Sequence, residues 1–175
     1  MSARHSRSPA PARRRAAPAA TPGEVLIRPV KRTDLDQVVA IDATVTGLEK
    51  RRYWERVFRR YGAAGPREQR HFLVALDGVR VVGFIIGEVR DWEFGSPPCG
   101  WVFGIDVRPD ARQAGVGSRL LAAIVEGFRR AGVTKVRTIL ARENSLVLSF
   151  FRSQGLTAGH LIPLQIEIEA GAARA

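Results

Sequence analysis

Residues 105 to 120 read Ile-Asp-Val-Arg-Pro-Asp-Ala-Arg-Gln-Ala-Gly-Val-Gly-Ser-Arg-Leu. An apolar strand runs to Val107, a proline two residues later stops it, and a helix with one apolar side begins near Gly117. The first N–H groups of a helix have no partner within the helix, and glycine lets them approach a phosphate closely. Arg112 and the hydroxyl of Ser118 add donors. The segment therefore predicts an anion site where a strand turns into a helix.

Two common phosphate motifs do not fit this segment. A dinucleotide fingerprint needs a third glycine where Leu120 stands, and no early strand–helix–strand unit precedes it. The P-loop pattern, which ends in Gly-Lys-Ser or Gly-Lys-Thr, is absent from the sequence. Taken alone, Gly115 and Gly117 would also fit a plain turn into a helix that binds no ligand.

The longer pattern around this segment resembles the acetyl-CoA signature of the GNAT superfamily of N-acetyltransferases. The matching positions are Val107, Pro109, Arg112, Gly115, Gly117, Ser118, Leu120 and Leu121. A second segment is similar to that family's pattern of an asparagine, paired aromatics and a glycine, at Asn144, Val147, Phe150, Phe151, Gly155 and Leu156. The resemblance spans residues 24 to 169.

This resemblance implies an enzyme that takes acetyl-CoA as its acyl donor and acetylates a primary amine by direct attack, without a covalent enzyme intermediate. The glycine segment would wrap the CoA pyrophosphate with its backbone amides, two residues of the preceding strand would pair with the pantetheine arm, and an asparagine would bond that arm from its far side. The implied cofactor-binding residues are Ile105, Val107, Arg112, Gln113, Ala114, Gly115, Val116, Gly117, Ser118, Asn144 and Phe151.

One position departs from the family pattern. Phe151 stands where many members have a tyrosine that protonates the departing CoA thiolate. A phenyl ring has no proton to give, so either CoA leaves as the thiolate or another group or a water supplies the proton. Tyr53 and Tyr61, both in the predicted second helix, are the substitute candidates.

The order of elements predicts an α/β fold with a mixed, mostly antiparallel central sheet of six to seven strands and helices on both faces. Asp77-Gly78 predicts a two-residue hairpin turn. The last two predicted strands cover 135–140 and 161–168, and apolar and polar residues alternate in the second of them. The predicted acetyltransferase domain covers 24–169. Residues 1–23 are rich in Ala, Pro and Arg and predict a disordered basic tail, with an organelle transit peptide as the alternative, and 170–175 predict a flexible C-terminus.

Two carboxylates are candidates for the general base that accepts a proton from the attacking amine. Glu88 interrupts an apolar strand, and Asp106 lies on the strand that precedes the glycine segment. Each has a plain alternative, in which it faces solvent or pairs with an arginine. Asp91 and Glu93, in the loop that follows the strand of Glu88, are expected to attract a cationic amine.

The acceptor is left open between two kinds of amine. A protein or peptide amine is favoured over a small-molecule amine, and a non-catalytic acyl-CoA-binding module is the alternative from another class. The arginines between Arg51 and Arg60 are most simply a solvated helix face, and contact with an acidic substrate or with the CoA 3′-phosphate is their second interpretation. The sequence also leaves open whether the protein forms a homodimer.

Composition narrows the remaining function classes. The net charge is +11, of which residues 1–23 carry five positive charges, and aromatic residues are not interleaved with basic ones, which argues against a nucleic acid partner. No apolar run approaches the ~20 residues that span a bilayer, so no membrane partner is expected. The single cysteine, Cys99, fits a reducing compartment and a cytoplasmic protein. No His, Cys and Asp cluster has metal-ligand spacing, so no metal is predicted.

Overall fold

The structure, a computed structural model, describes residues 25–62 and 69–168. The predicted basic tail, 1–23, and the predicted flexible C-terminus, 170–175, lie outside these residues. The chain divides into two compact units, one ending at Arg137 and one beginning at Thr138, and each is described by itself.

The first unit contains five strands and three α-helices. The strands are β1 (Leu26–Pro29), β2 (Arg70–Asp77), β3 (Arg80–Arg90), β4 (Cys99–Val107) and β5 (Val136–Arg137). The helices are α1 (Leu35–Thr46), α2 (Arg51–Val57), which continues as a π-helical turn over Phe58–Gly62, and α3 (Val116–Arg130). Single 3-10 turns lie at Arg32–Asp34, Glu93–Gly95 and Pro109–Ala111. The second unit contains α4 (Ser145–Ser153).

The strands form one sheet in the order β1-β2-β3-β4-β5. The first three pairings are antiparallel and β4 pairs with β5 in parallel, so the prediction of a mixed, mostly antiparallel sheet is confirmed. Five strands are present among the described residues, rather than the predicted six to seven. The strand predicted after α3 is also shorter than expected, because only two of its residues pair with β4.

The predicted strand over 161–168 is wrong. These residues form neither helix nor strand, and the side chains of Leu164, Ile166 and Ile168 are between 85% and 92% exposed. Alternation indicates a strand only where a neighbour completes the hydrogen-bond ladder, and none of these residues pairs with a described strand. Pro163 also has no N–H to donate to such a ladder.

Helices pack on both faces of the sheet. On one face α3 lies close to β3, and a Cβ at Gly87 would come within 2.9 Å of both Ile124 and Phe128, so only glycine fits beneath this helix. On the other face α1 and α2 bury a separate core whose largest members are Ile41, Trp54, Phe72, Phe84 and Ile86. This second face, called the α1/α2 face below, carries the polar residues of the candidate site.

Candidate functional site

The N-terminus of α3 has the geometry of an anion site. Gln113 and Gly115 have φ of 67° and 74°, and these left-handed residues turn the chain into the helix. The first backbone bond of the helix is donated by Arg119 N to Gly115 O at 3.0 Å, so the preceding N–H groups have no helical acceptor. The residues of this segment that are exposed to solvent are Arg112, Gln113, Ala114 and Gly115, while Gly117 and Ser118 are partly exposed and Val116 is buried in the helix packing.

The outer edge of β4 leads away from this helix terminus. Arg108 N donates to Val82 O of β3 at 2.9 Å. Backbone groups alternate in direction along an antiparallel strand, so those of Ile105 and Val107 point away from β3. Arg112 Nε donates to Val107 O at 3.3 Å, which places one side chain of the glycine segment at this edge. Among the described residues β5 pairs with β4 only at Gly100 and Trp101, and no described strand pairs with the rest of this edge, which is called the open edge below.

A β-bulge interrupts β4 between its open and its covered part. Ile86 of β3 pairs with Gly104 and Gly87 pairs with Val102, so Phe103 is the extra residue. The ring of Phe103 is 5.3 Å from that of Tyr61, which places it on the α1/α2 face, and 41% of Phe103 is exposed. The bulge therefore brings an exposed aromatic residue to the point where the open edge ends.

Asp106 lies in an acidic cluster on the α1/α2 face, formed by Asp42, Lys50, Trp54 and Asp106. Burial, and then the negative charge of Asp42, raise the pKa of Asp106 to about 6 against the opposing charges of Lys50 and Arg112. Asp42 is itself buried and accepts a hydrogen bond from Trp54 Nε1 at 2.8 Å, and Lys50 Nζ lies 3.0 Å from its other oxygen. A carboxylate with a pKa near neutrality is suited to accept a proton.

Glu88 lies on the same face in a different environment. Tyr61 donates its hydroxyl proton to Glu88 Oε2 at 3.0 Å, and Arg90 Nε donates to Oε1 at 3.2 Å. Arg60 and Arg70 each place a nitrogen 4.0 Å from Oε2. Burial, and to a lesser extent the hydrogen bond to this carboxylate, raise the pKa of Tyr61. The arginine pairing that the sequence left as the alternative for Glu88 is therefore present.

The structure does not bring the two predicted bases together. Glu88 pairs across the sheet with Trp101, whereas Asp106 pairs with Phe84, four residues earlier on β3. At about 3.3 Å per residue this separation is about 13 Å along the strand. The bulge at Phe103 lies between the two carboxylates.

Asn144 and Phe151 belong to α4. Asn144 Oδ1 accepts the N–H of Val147 at 3.1 Å and so caps the helix, which leaves the NH₂ of the side chain as the group that can donate elsewhere. Phe151 is buried, and its ring is 5.1 Å from that of Phe150. Their predicted contacts with the cofactor stay predictions.

The residues around Asp106 were not predicted from the sequence. Asp42 follows Leu35, Val38 and Val39 at helical spacing, and a carboxylate on the apolar side of a helix was the available signal. Lys50 and Trp54 carried no such signal. The described residues contain no group of three or more His, Cys, Asp or Glu side chains that could hold a metal ion, and no helix among them is long and apolar enough to cross a bilayer.

Comparison with known proteins adds the family and the fold. The sequence model of the acetyltransferase (GNAT) family matches residues 36–156. A 97-residue stretch is 29% identical to mycothiol acetyltransferase of Kocuria rhizophila and covers 54% of this chain but only 32% of that protein. The chain therefore matches about a third of that relative's length.

Three solved structures share the fold. The aminoglycoside N-acetyltransferase AAC(6′)-Iy in complex with CoA has a TM-score of 0.72 at 19% identity, and the match covers 82% of this chain and 95% of that chain. AAC(6′)-Ih from Acinetobacter baumannii has a TM-score of 0.69 at 16% identity, with 83% and 99% covered. A transcriptional regulator from Bacillus halodurans C-125 has a TM-score of 0.71 at 21% identity, with 83% and 100% covered.

Proposed function

Because the chain belongs to the acetyltransferase (GNAT) family, with acetyl-CoA as the acyl donor that this membership implies, we propose that it transfers an acetyl group to a primary amine by direct attack on the thioester. The observation that carries the proposal is the continuity of two features. The unbonded N–H groups at the start of α3 lie next to the open edge of β4, and that edge leads to the bulge at Phe103.

The donor would bind along this path. The pyrophosphate takes hydrogen bonds from backbone N–H groups of the 113–118 segment, and the Arg112 guanidinium adds charge. The pantetheine arm pairs with the outward backbone groups of Ile105 and Val107 as an added strand would. Four residues separate Val107 from Phe103, about 13 Å at the rise of a strand, so an extended arm carries its thioester toward the bulge.

The chemistry then needs a base and a leaving group. The amine nitrogen forms a bond to the acetyl carbon, the carbon–sulfur bond breaks, and Asp106 takes the excess amine proton through a water, since three residues separate it from the bulge. Phe151 gives no proton to the sulfur, so CoA leaves as the thiolate or takes a proton from water. The hydroxyl of Tyr61 already donates a hydrogen bond to Glu88, so we do not assign Tyr61 as the acid.

Of the two predicted bases, we favour Asp106. Its raised pKa of about 6 leaves it ionised at neutral pH and still basic enough to accept a proton. Glu88 accepts hydrogen bonds from Tyr61 and Arg90, and two further arginines lie 4.0 Å from it, so nearby cations already balance its charge. A proton on Glu88 would forfeit these charge-assisted bonds.

For the acceptor, a peptide or protein amine is the first candidate. Two exposed aromatic side chains in the loop before β4 and one at its bulge offer the kind of surface that contacts a peptide. They are Trp92, Phe94 and Phe103. A small-molecule amine is the second candidate, because the similar proteins are named for mycothiol and for aminoglycosides.

The proposal is tested by calorimetric titration with acetyl-CoA and CoA. We expect micromolar binding to the wild type and loss of binding in the double variant Arg112→Ala with Gly117→Trp, which removes the guanidinium and blocks the backbone cradle. Arg130→Ala, at the other end of α3, where the side chain pairs with Glu126, is the control and should bind normally. Thiol release with peptide and small-molecule amines then ranks the acceptors. A folded wild type that binds neither CoA species would refute the proposal.

A further inference from the structure

Four side chains from four strands form one row across the α1/α2 face. Arg70 of β2 pairs with Glu88 of β3, Glu88 pairs with Trp101 of β4, and Trp101 pairs with Arg137 of β5. Directly paired residues project from the same face of a sheet. These four residues are called the arginine row, and Trp101 lies two positions from the bulge, about 7 Å along β4.

Positive charge exceeds negative charge in and around the arginine row. The arginines are Arg60, Arg70, Arg90 and Arg137, and the carboxylates are Glu88 and Glu93. Arg90 bonds both carboxylates, at 3.2 Å and 3.5 Å, whereas Arg60 and Arg70 reach Glu88 only at 4.0 Å. The last two are about half exposed. Two guanidinium groups are thus left with donors for a further anion.

The row also contains buried donors without acceptors. Trp101 is 7% exposed, and neither its Nε1 nor Nη1 of Arg137 has a hydrogen-bond partner among the described residues. The other terminal nitrogen of Arg137 donates to Ser96 Oγ at 2.9 Å. Arg90 and Arg137 lie over the Trp101 ring, at 5.2 Å and 6.0 Å from its centroid. An unsatisfied buried N–H is costly, and both of these atoms can only donate, so their complement is a hydrogen-bond acceptor. The surplus of guanidinium groups around them favours an acceptor with a negative charge.

We propose that the arginine row, with Arg60 and Arg90 at its rim, binds a carboxylate of the acceptor close to the amine that is acetylated. The inference rests on the proposed function for the amine and adds the class of acceptor. The acidic cluster lies on the opposite side of the bulge, so an amino-carboxylate would place its amine toward Asp106 and its carboxylate toward the guanidinium groups. Glu88 is then a positioning residue that holds Tyr61 and the arginines.

The direct test follows the indole N–H of Trp101 by NMR and does not depend on activity. The chain has three tryptophans, so its three indole signals can be assigned with Trp101→Phe and Trp54→Phe. Titration with N-acetylglycine should shift the Trp101 signal saturably, whereas N-acetylglycinamide should not. The Trp54 signal, whose N–H already donates to Asp42, is the internal control. Equal shifts with acid and amide, or no shift, would overturn the proposal.

A kinetic test uses the arginines. In Arg60→Gln with Arg70→Gln, KM for carboxylate-bearing acceptors should rise about tenfold, the effect of losing a charged hydrogen bond. Acceptors without a carboxylate and acetyl-CoA affinity should be unaffected. Arg130→Gln, which removes the same charge from α3, is the matched control. Glycine against glycinamide tests a free α-carboxylate, and peptides beginning Gly-Asp against Gly-Asn test a side-chain carboxylate.

The two proposals fail differently. Acetyl-CoA binding and amine acetylation with no preference for carboxylates would refute the carboxylate site and leave the transferase intact. A carboxylate-specific shift of Trp101 without acetyl-CoA binding would refute the transferase and leave the anion site.

Discussion

The acidic cluster and the arginine row occupy the same face of the same sheet with opposite charge balance. In the acidic cluster two carboxylates, Asp42 and Asp106, face the ammonium of Lys50, and the pKa of Asp106 is raised to about 6. In the arginine row the donors exceed the acceptors, and Trp101 Nε1 has no hydrogen-bond partner among the described residues. We propose that the first takes a proton and that the second holds an anion. The bulge at Phe103, where the thioester is proposed to arrive, separates them.

The largest expected effect tests the acidic cluster as the source of the base. Asp106→Asn should lower kcat/KM at neutral pH by about 100-fold, since an amide cannot accept the proton. In the wild type, activity should be lost as the pH falls through about 6, the pKa of Asp106, because the protonated acid is inactive. Asp77→Asn, at an exposed hairpin position, is the control. An acid limb that persists in the variant would assign the base elsewhere.

A matched pair of tryptophan substitutions compares hydrogen bonding at the two ends. Trp54→Phe should lower the free energy of unfolding by about 1.5–3 kcal/mol, because buried Asp42 loses a donor. Trp101→Phe removes a similar ring volume but no hydrogen bond, so its loss should be smaller by about 1 kcal/mol. Urea unfolding measures both. Equal losses would mean that the arginine row satisfies the Trp101 N–H within the protein.

The raised pKa of Asp106 also makes a stability prediction. The folded state binds its proton more tightly than the unfolded chain, with a pKa of about 6 against 3.8, so the cost of ionising Asp106 in the folded state builds up between these two pH values and is complete above about pH 6. Asp106→Asn should therefore be more stable than the wild type at pH 7, by about 1–2 kcal/mol after allowance for partial exposure, and the difference should shrink as the pH falls toward 4. Denaturant titrations at several pH values test this, and a difference that does not vary with pH would contradict it.

The smallest expected effect tests how Asp42 acts on Asp106. Its negative charge raises the pKa of Asp106, so Asp42→Asn should move the acid limb of the pH–activity profile to lower pH. The amide retains an oxygen to accept the Trp54 bond, which limits the structural change. The pH dependence of kcat/KM is the measurement, and a limb that stays in place or moves upward would remove Asp42 from the tuning of the base.

Most of the fold could be predicted from local patterns. The glycine segment, the amphipathic helix that follows it and the Asp77-Gly78 turn between β2 and β3 each combine neighbours in sequence, and the structure contains all three. The prediction for 161–168 was wrong because alternating apolar and polar residues favour an extended chain but do not show that a neighbouring strand is present to pair with it. The two-residue β5 differs from its prediction for the same reason, since pairing with β4 ends at Arg137.

The sequence by itself determined the family, the candidate anion site at the start of α3 and the identity of both candidate carboxylates, since these depend on residues close together along the chain. Only the tertiary structure decided which carboxylate has a raised pKa and which is held by arginines. Those environments are assembled from α1, α2 and four strands, by contacts such as Asp42 with Trp54 and Tyr61 with Glu88. The pKa of a carboxylate depends on burial and on charges brought near it by folding, and sequence spacing carries neither.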